Sequence, residues 1–196
     1  MLNPINTNSV NSDPLKSNQS SGDQFNITTY INSLIAQMQM FPPVGGGAAY
    51  QSQVNFIGNM IKQVQEEHPG LAQPVPLGVL IAYSNLQNDL SESSPNLSAV
   101  TADLQTLESN DCFSSKIVKD TALSVLDQML QGIKSGSMSP ADLLGLANGM
   151  NNFGDFNGPV LKMSTYLNDH LFGGFDPNEA TSLIQQVMQE VQRSGS

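Results

Sequence analysis

The spacing of apolar residues is the feature that most limits what this chain can fold into. Apolar side chains recur every three or four positions, and the first such series is Ile27, Ile31, Leu34, Ile35 and Met38. Residues at this spacing line one face of an α-helix, whereas a half-buried strand would alternate apolar and polar residues. No segment of the sequence alternates convincingly. The pattern therefore predicts an all-α protein, a compact bundle of about seven or eight short helices.

Proline and glycine residues mark where the predicted helices begin and end. Ser94-Pro95, Ser139-Pro140 and Asp176-Pro177 each offer a side-chain oxygen for the N-cap and a proline for the first helical position. Asp176 and Glu179 also have the form of a capping box. Glycines follow several of the series, where a left-handed residue commonly ends a helix. The predicted helices span residues 23 or 26 to 40, 50–67, 77–90, 95–109, 115–134, 140–150, 159–172 and 177–193.

The amino-terminal segment differs in composition from the rest of the chain. Residues 1–22 consist largely of Asn, Ser, Thr, Gln and Pro, with too little apolar surface to offset the entropy of ordering a backbone. Residues 42–49 join two prolines, which cannot continue a helix, to three glycines, which leave the backbone free. The sequence therefore predicts a disordered polar tail at 1–22, a hinged amphipathic helix at 23–43 and a helical domain at 50–194.

The charge balance limits the kinds of partner. Seven Lys and Arg against 17 Asp and Glu give a formal net charge of -10, which repels nucleic acid and anionic lipid. The longest apolar stretch, residues 75–83, contains a proline and is shorter than the roughly 20 residues that span a bilayer. The amino terminus has neither a basic n-region nor an apolar h-region. We expect no nucleic-acid partner, no transmembrane segment, and a location that is cytoplasmic or secreted without a cleavable signal peptide.

Residues that commonly carry catalysis are few and lie in no known motif. A single cysteine, Cys112, excludes an internal disulfide and any metal site that needs two thiolates. Because Cys112 lies beside Phe113, we expect a half-buried apolar residue. The alternative is a nucleophile that His170 activates and whose thiol pKa is lowered by Lys116. His170 lies near a predicted helix end, where it suits the terminal carbonyls.

Three carboxylates leave an enzyme as an alternative. Paired carboxylates that lie far apart in a sequence can still meet in space, and Asp155, Asp169 and Asp176 are the nearest candidates for such a pair in a hydrolase. The simpler interpretation assigns them to solvated loops and helix caps. The glycines at 45–47 lack the following Lys and the preceding strand of a phosphate-binding loop. We therefore predict no catalytic residue, no cofactor and no metal.

Methionines and the first helix indicate binding to a protein. The chain has nine methionines, mostly on or beside the apolar helix faces. Core filling is the commoner role of such residues, and the alternative is an interaction surface, because flexible thioethers suit surfaces that repack against a partner. The first helix carries an apolar strip that precedes the predicted hinge, and such a strip can fold onto its own domain or lie in the groove of another subunit. The residues predicted to bind a partner protein, or a second copy of the chain, are Ile31, Leu34, Ile35, Met38 and Phe41.

A polar amino terminus, a charged fraction of only 12%, the absence of Trp and helices dotted with Gly and Gln occur together in this chain. In these respects it resembles substrates of bacterial type III secretion systems, such as harpins and extracellular filament or translocator subunits, although Cys112 departs from the cysteine-free habit of harpins and Gly is less abundant. We expect a non-enzymatic helical protein acting by protein-protein interaction, as a secreted effector or structural component of a bacterial secretion system. The alternatives are an intracellular adaptor or scaffold subunit, and a phage or viral structural protein.

Overall fold

Helices are the regular structure of residues 25–153 and 157–194, the parts of the chain that the computed structural model describes. They are α1 (Ile27–Met40), a 3-10 helix (Gly47–Tyr50), α2 (Gln51–Glu67), α3 (Leu77–Ser91), α4 (Leu97–Glu108), α5 (Ser115–Ser135), α6 (Pro140–Gly149), α7 (Asn157–Asp169) and α8 (Pro177–Arg193). Within these ranges the chain contains no strand, so the predicted all-α bundle is confirmed. The tail predicted at 1–22 lies outside the described residues.

Side-chain caps begin several helices where the sequence predicts them. Asn26 caps α1, and Ser139 caps α6 with a proline at the first helical position. Asp176 caps α8, but its carboxylate accepts from the N–H of Asn178 at 2.8 Å, so the capping box predicted with Glu179 is wrong. The capping box forms in α6 instead, where the Ser139 hydroxyl accepts from the N–H of Asp142 at 3.2 Å and the Asp142 carboxylate accepts from the N–H of Ser139 at 2.8 Å.

Two helices begin two residues away from their predicted starts, α4 later in the chain and α7 earlier. The cap of α4 is Asn96 rather than Ser94, because the amide oxygen of Asn96 accepts from the backbone N–H groups of both Ser98 and Ala99. Helix α7 begins at Asn157, ahead of Pro159. A proline is tolerated in the first turn because the first backbone N–H groups of a helix have no acceptor within it.

The core surrounds α2, which contacts α3, α5 and α6. Helix α3 pairs with α4 and α5 pairs with α8, while α7 packs against both α6 and α8. Helix α1 lies on α4, and an aromatic cluster attaches it to α2 and to the loop after α6. In that cluster the ring of Tyr30 lies with its centroid 5.3 Å from that of Phe56 and 4.8 Å from that of Phe153.

Helix α1 is therefore built into the same core as the rest of the described chain. The buried Tyr30 hydroxyl donates to the carbonyl of Gly149, at the end of α6, over 2.7 Å. After α1, the predicted hinge segment packs tightly at Gly47, where an added Cβ would lie 2.5 Å from Cβ of Leu90 in α3. The segment is a packed turn in this structure, and hinge motion stays a prediction.

Candidate functional site

The five residues predicted to bind a partner lie in two different environments. Ile31, Leu34 and Met38 are fully buried in the core, and Ile35 is partly buried against it. Only Phe41 has most of its side chain, 70%, in solvent. The apolar strip of α1 thus folds onto its own chain. Partner binding by these residues stays a prediction, and Phe41 is the one of the five whose side chain is mostly accessible to a partner.

Two further apolar residues, which sequence reasoning missed, flank Phe41. The side chains of Met40 and Val44 are 67% and 89% exposed, and with Phe41 they form what we call the apolar corner. Met40 lies off the apolar face of α1 by helical spacing, and Val44 lies among prolines and glycines, so neither belongs to a periodic series. The sequence feature that could have indicated this surface is the presence of three large apolar residues, Met40, Phe41 and Val44, around two consecutive prolines.

Hydrogen bonds fix the backbone of the apolar corner. The N–H of Phe41 donates to the carbonyl of Gln37 at 2.8 Å, and the hydroxyl of Tyr50 donates to the carbonyl of Phe41. The N–H of Gly45 donates to the carbonyl of Ser93, just beyond α3, at 3.1 Å. The corner therefore presents its apolar side chains from a backbone that is tied to both α1 and the end of α3.

Carboxylates lie at the same end of α3 as the apolar corner. Asp89 is in the last turn of α3, and Glu92 is the residue that follows the helix. Asp103 lies near Asp89 on the neighbouring helix α4, where burial raises the pKa of its carboxyl; a hydrogen bond from the Asn85 side chain opposes this effect, and the negative charge of Asp89 adds to it. This end of the α3–α4 pair is therefore acidic.

A groove of about 560 Å³ with both polar and apolar walls lies between α2, α5 and α6. Amide and hydroxyl side chains from α2 and α5 line its walls, among them Gln51, Ser52, Asn55, Asn59 and Gln128. Asp142 is its charged member, and hydrogen bonds from the side chain and backbone of Ser139 lower the pKa of its carboxyl. The groove offers neutral hydrogen-bonding groups, and its one carboxylate is committed to the cap of α6.

Cys112 is partly buried and packs against the core, as the sequence predicts. Burial raises the pKa of its thiol to about 11, and the negative charge of Asp111 adds to the effect. Lys116, which would have lowered this pKa, instead donates hydrogen bonds to the carboxylates of Asp120 and Glu67. The thiol is therefore protonated near neutral pH and is a poor nucleophile.

His170 and Asp176 have local structural partners. The Nδ1 atom of His170 lies 2.7 Å from the carbonyl oxygen of Tyr166 in the last turn of α7, the contact expected at a helix end. Asp176 caps α8, Asp169 ends α7, and Asp155 lies outside the described residues. Among the residues that the structure describes, no three His, Cys, Asp or Glu side chains are grouped to hold a metal ion.

No family model, no curated protein and no solved structure matches this chain. Over residues 25–153 and 157–194, no helix combines the length and apolar character needed to cross a membrane.

Proposed function

We propose that this chain is a non-enzymatic helical protein that acts by binding another protein through the apolar corner. The observation that carries the proposal is the exposure of Met40, Phe41 and Val44 within five residues. Exposed apolar residues on soluble proteins are usually scattered singly, and grouped ones mark interaction sites. Full burial of each such side chain is worth about 1.5–3 kcal/mol. Because the backbone of the corner is fixed, binding would lose little conformational entropy there.

The state of the reactive side chains supports binding rather than catalysis. The raised pKa of Cys112 keeps its thiol protonated, and Lys116 is committed to two carboxylates. His170 is in contact with a backbone carbonyl at the end of its own helix. A thiol must be deprotonated to act as a nucleophile, so the raised pKa of Cys112 disfavours that role. The contact of His170 is one that histidine commonly makes at a helix end, which favours a structural role.

The apolar corner can be tested with matched serine variants. Met40→Ser, Phe41→Ser and Val44→Ser combined remove its apolar surface, while Leu161→Ser with Phe172→Ser removes exposed apolar surface from the α7 side of the molecule. The tagged chains are purified from the organism of origin, and copurifying proteins are identified by mass spectrometry. We expect a partner that the unaltered chain and the α7 control retain and the corner variant loses. A corner variant that retains every partner would contradict the proposal.

The proposal includes export as an effector or structural component of a bacterial secretion system. It is supported by the polar composition of residues 1–22 and by the low charged fraction of the chain. The chain is expressed with and without residues 1–22 in a bacterium that carries a type III secretion system. We expect the full chain in the culture supernatant and the shortened chain in the cells. Retention of both chains in the cytosol with a fixed partner would favour an adaptor subunit.

A further inference from the structure

The apolar corner lies where two helices end. Helix α1 ends at Met40, and α3 ends at Ser91. The hydrogen bond from the N–H of Gly45 to the carbonyl of Ser93 holds the corner beside the end of α3. The carboxyl end of a helix carries about half an elementary negative charge, and basic side chains in the last turn commonly offset it. Neither α1 nor α3 has a basic residue in its last turn.

Carboxylates add full negative charges to these helix ends. Asp89 and Glu92 lie at the end of α3, and an added Cβ on Gly46 would lie 3.5 Å from the backbone oxygen of Glu92. Across the described residues, the ion pairs use other carboxylates and join them to Lys62, Lys116 or Arg193. The charges of Asp89 and Glu92 are thus not offset by a neighbouring cation of the described chain.

The sequence explains why no cation is at hand. From residue 25 to residue 61 there is no charged side chain, and from residue 63 to residue 115 there is no Lys or Arg. Helices α1, α3 and α4 lie wholly within these stretches. The described basic residues lie on other helices and are Lys62, Lys116, Lys119, Lys134, Lys162 and Arg193. The surface around the apolar corner is therefore both apolar and negatively charged.

We propose that the apolar corner binds a basic amphipathic segment of a partner protein. Its apolar side chains cover Met40, Phe41 and Val44, while its Lys or Arg side chains face Asp89, Glu92 and the carbonyl ends of α1 and α3. This inference rests on the proposed function and adds the chemistry of the partner. A second copy docked corner to corner would bring the same negative charges together, and like charges facing each other disfavour such a contact.

Designed peptides test the charge of the partner. Three helical peptides share a leucine face and differ on the opposite face, which carries Lys, Gln or Glu. Each is titrated into the full ¹⁵N-labelled chain, and amide shifts are followed by NMR. We expect the Lys peptide to shift amides at 40–46 and 89–93 and to bind about 10-fold more tightly than the Glu peptide. Its affinity falls as salt is raised, because salt screens exposed charges.

Matched variants separate the apolar part of the interaction from the charged part. Phe41→Ser and the pair Asp89→Asn with Glu92→Gln should each weaken binding of the Lys peptide by about 10-fold. The controls are Phe172→Ser, which removes a fully exposed phenylalanine elsewhere, and Asp127→Asn with Glu179→Gln, which removes two exposed charges from α5 and α8. Both controls should leave the affinity unchanged, and thermal unfolding checks that every variant is folded.

The outcomes distinguish this inference from the function on which it rests. If the Gln peptide binds the corner as tightly as the Lys peptide, and removal of the two charges has no effect on the affinity, the inference of a basic partner is overturned. The proposal that the corner binds a protein is then retained. If no peptide shifts residues 40–46, or if Phe172→Ser weakens binding as much as Phe41→Ser, both proposals are overturned.

Discussion

At the scale of single residues, one buried hydroxyl group affects the stability of this protein. Ser164 is buried in α7, and its hydroxyl has no hydrogen-bond partner among the described residues. Ser164→Ala removes a buried polar group that no hydrogen bond compensates, and this should raise the free energy of unfolding by about 1 kcal/mol. Alanine also favours a helix interior, by about 0.5 kcal/mol. We expect chemical denaturation to show a more stable protein.

Ser124, in the middle of α5, supplies the control for this prediction. Ser124 is exposed on its helix, so Ser124→Ala gains helix propensity alone. Ser164→Ala should therefore raise the free energy of unfolding by more than Ser124→Ala does. Equal gains would mean that the Ser164 hydroxyl finds a partner, such as a water molecule.

Glycine at position 47 is required by close contact with α3. An added Cβ there would lie 2.5 Å from Cβ of Leu90 and 2.7 Å from its carbonyl oxygen. Gly47→Ala should therefore destabilise the protein by about 1–3 kcal/mol, the usual cost of overpacking. Gly78→Ala is the matched control, because nothing lies within 4 Å of its added Cβ in α3 and it should be neutral or stabilising. Thermal unfolding of both variants measures the difference.

At the scale of a helix, the capping box of α6 links stability to pH. Hydrogen bonds from the side chain and backbone of Ser139 lower the pKa of the Asp142 carboxyl from its ordinary 3.8. The folded state therefore binds this proton less readily than the unfolded state, and the stabilisation is fully present above the unfolded pKa. It is lost as pH falls from about 4 through the lowered folded value. Asp142→Asn should lower the melting temperature at pH 7 and have progressively less effect in that acid range.

Ser139→Ala tests whether the two residues act as one unit. Each variant alone removes or weakens one of the two reciprocal bonds and leaves the other, but both disturb the hydrogen bond of 2.7 Å from the Ser139 hydroxyl to the Asp142 carboxylate. The double variant should therefore lose less stability at pH 7 than the sum of the two single losses. Additive losses would show that the cap and the carboxylate stabilise α6 independently.

Helix starts show how far local sequence determines structure here. Ser139 and Asp176 could be identified as caps from the sequence, because each precedes an apolar series without a nearby competitor. The start of α1 could be narrowed only to residue 23 or 26, and the structure has Asn26 as the cap. At residues 94–96, Ser-Pro-Asn offers two capping oxygens, and the choice of Asn96 depends on where α4 meets α1 and α3. Local patterns thus predict that a helix exists, while packing decides its first residue.

The candidate site depends on contacts that join distant parts of the chain. The apolar face of α1 could be read from its spacing, and Phe41 continues it three residues after Met38. The exposure of Met40 agrees with its place off that face. The exposure of Val44 could not be read in this way, because Val44 lies outside any helix and its segment is held by contacts such as the hydrogen bond from the N–H of Gly45 to the carbonyl of Ser93. The charge asymmetry is visible in the sequence, but its position beside the corner requires the fold.

Over the whole molecule, Tyr30 tests whether α1 unfolds with the rest. Its buried hydroxyl donates to the Gly149 carbonyl at 2.7 Å, so Tyr30→Phe leaves a buried acceptor unpaired and should cost about 1–2 kcal/mol. Tyr83→Phe is the control, since that hydroxyl is only partly buried and contacts the exposed Gln87 side chain. Chemical denaturation measures both losses.

Hydrogen exchange then distinguishes one cooperative unit from a separable helix. Because Tyr30 joins α1 to the end of α6, Tyr30→Phe should speed amide exchange in α1, α2 and α6 by the same factor, as expected when protected amides exchange through global unfolding. Faster exchange confined to α1, with α2 and α6 unchanged, would mean that residues 23–43 open alone about a hinge. The apolar corner would then swing with α1, away from the acidic end of α3, and would no longer be a fixed surface.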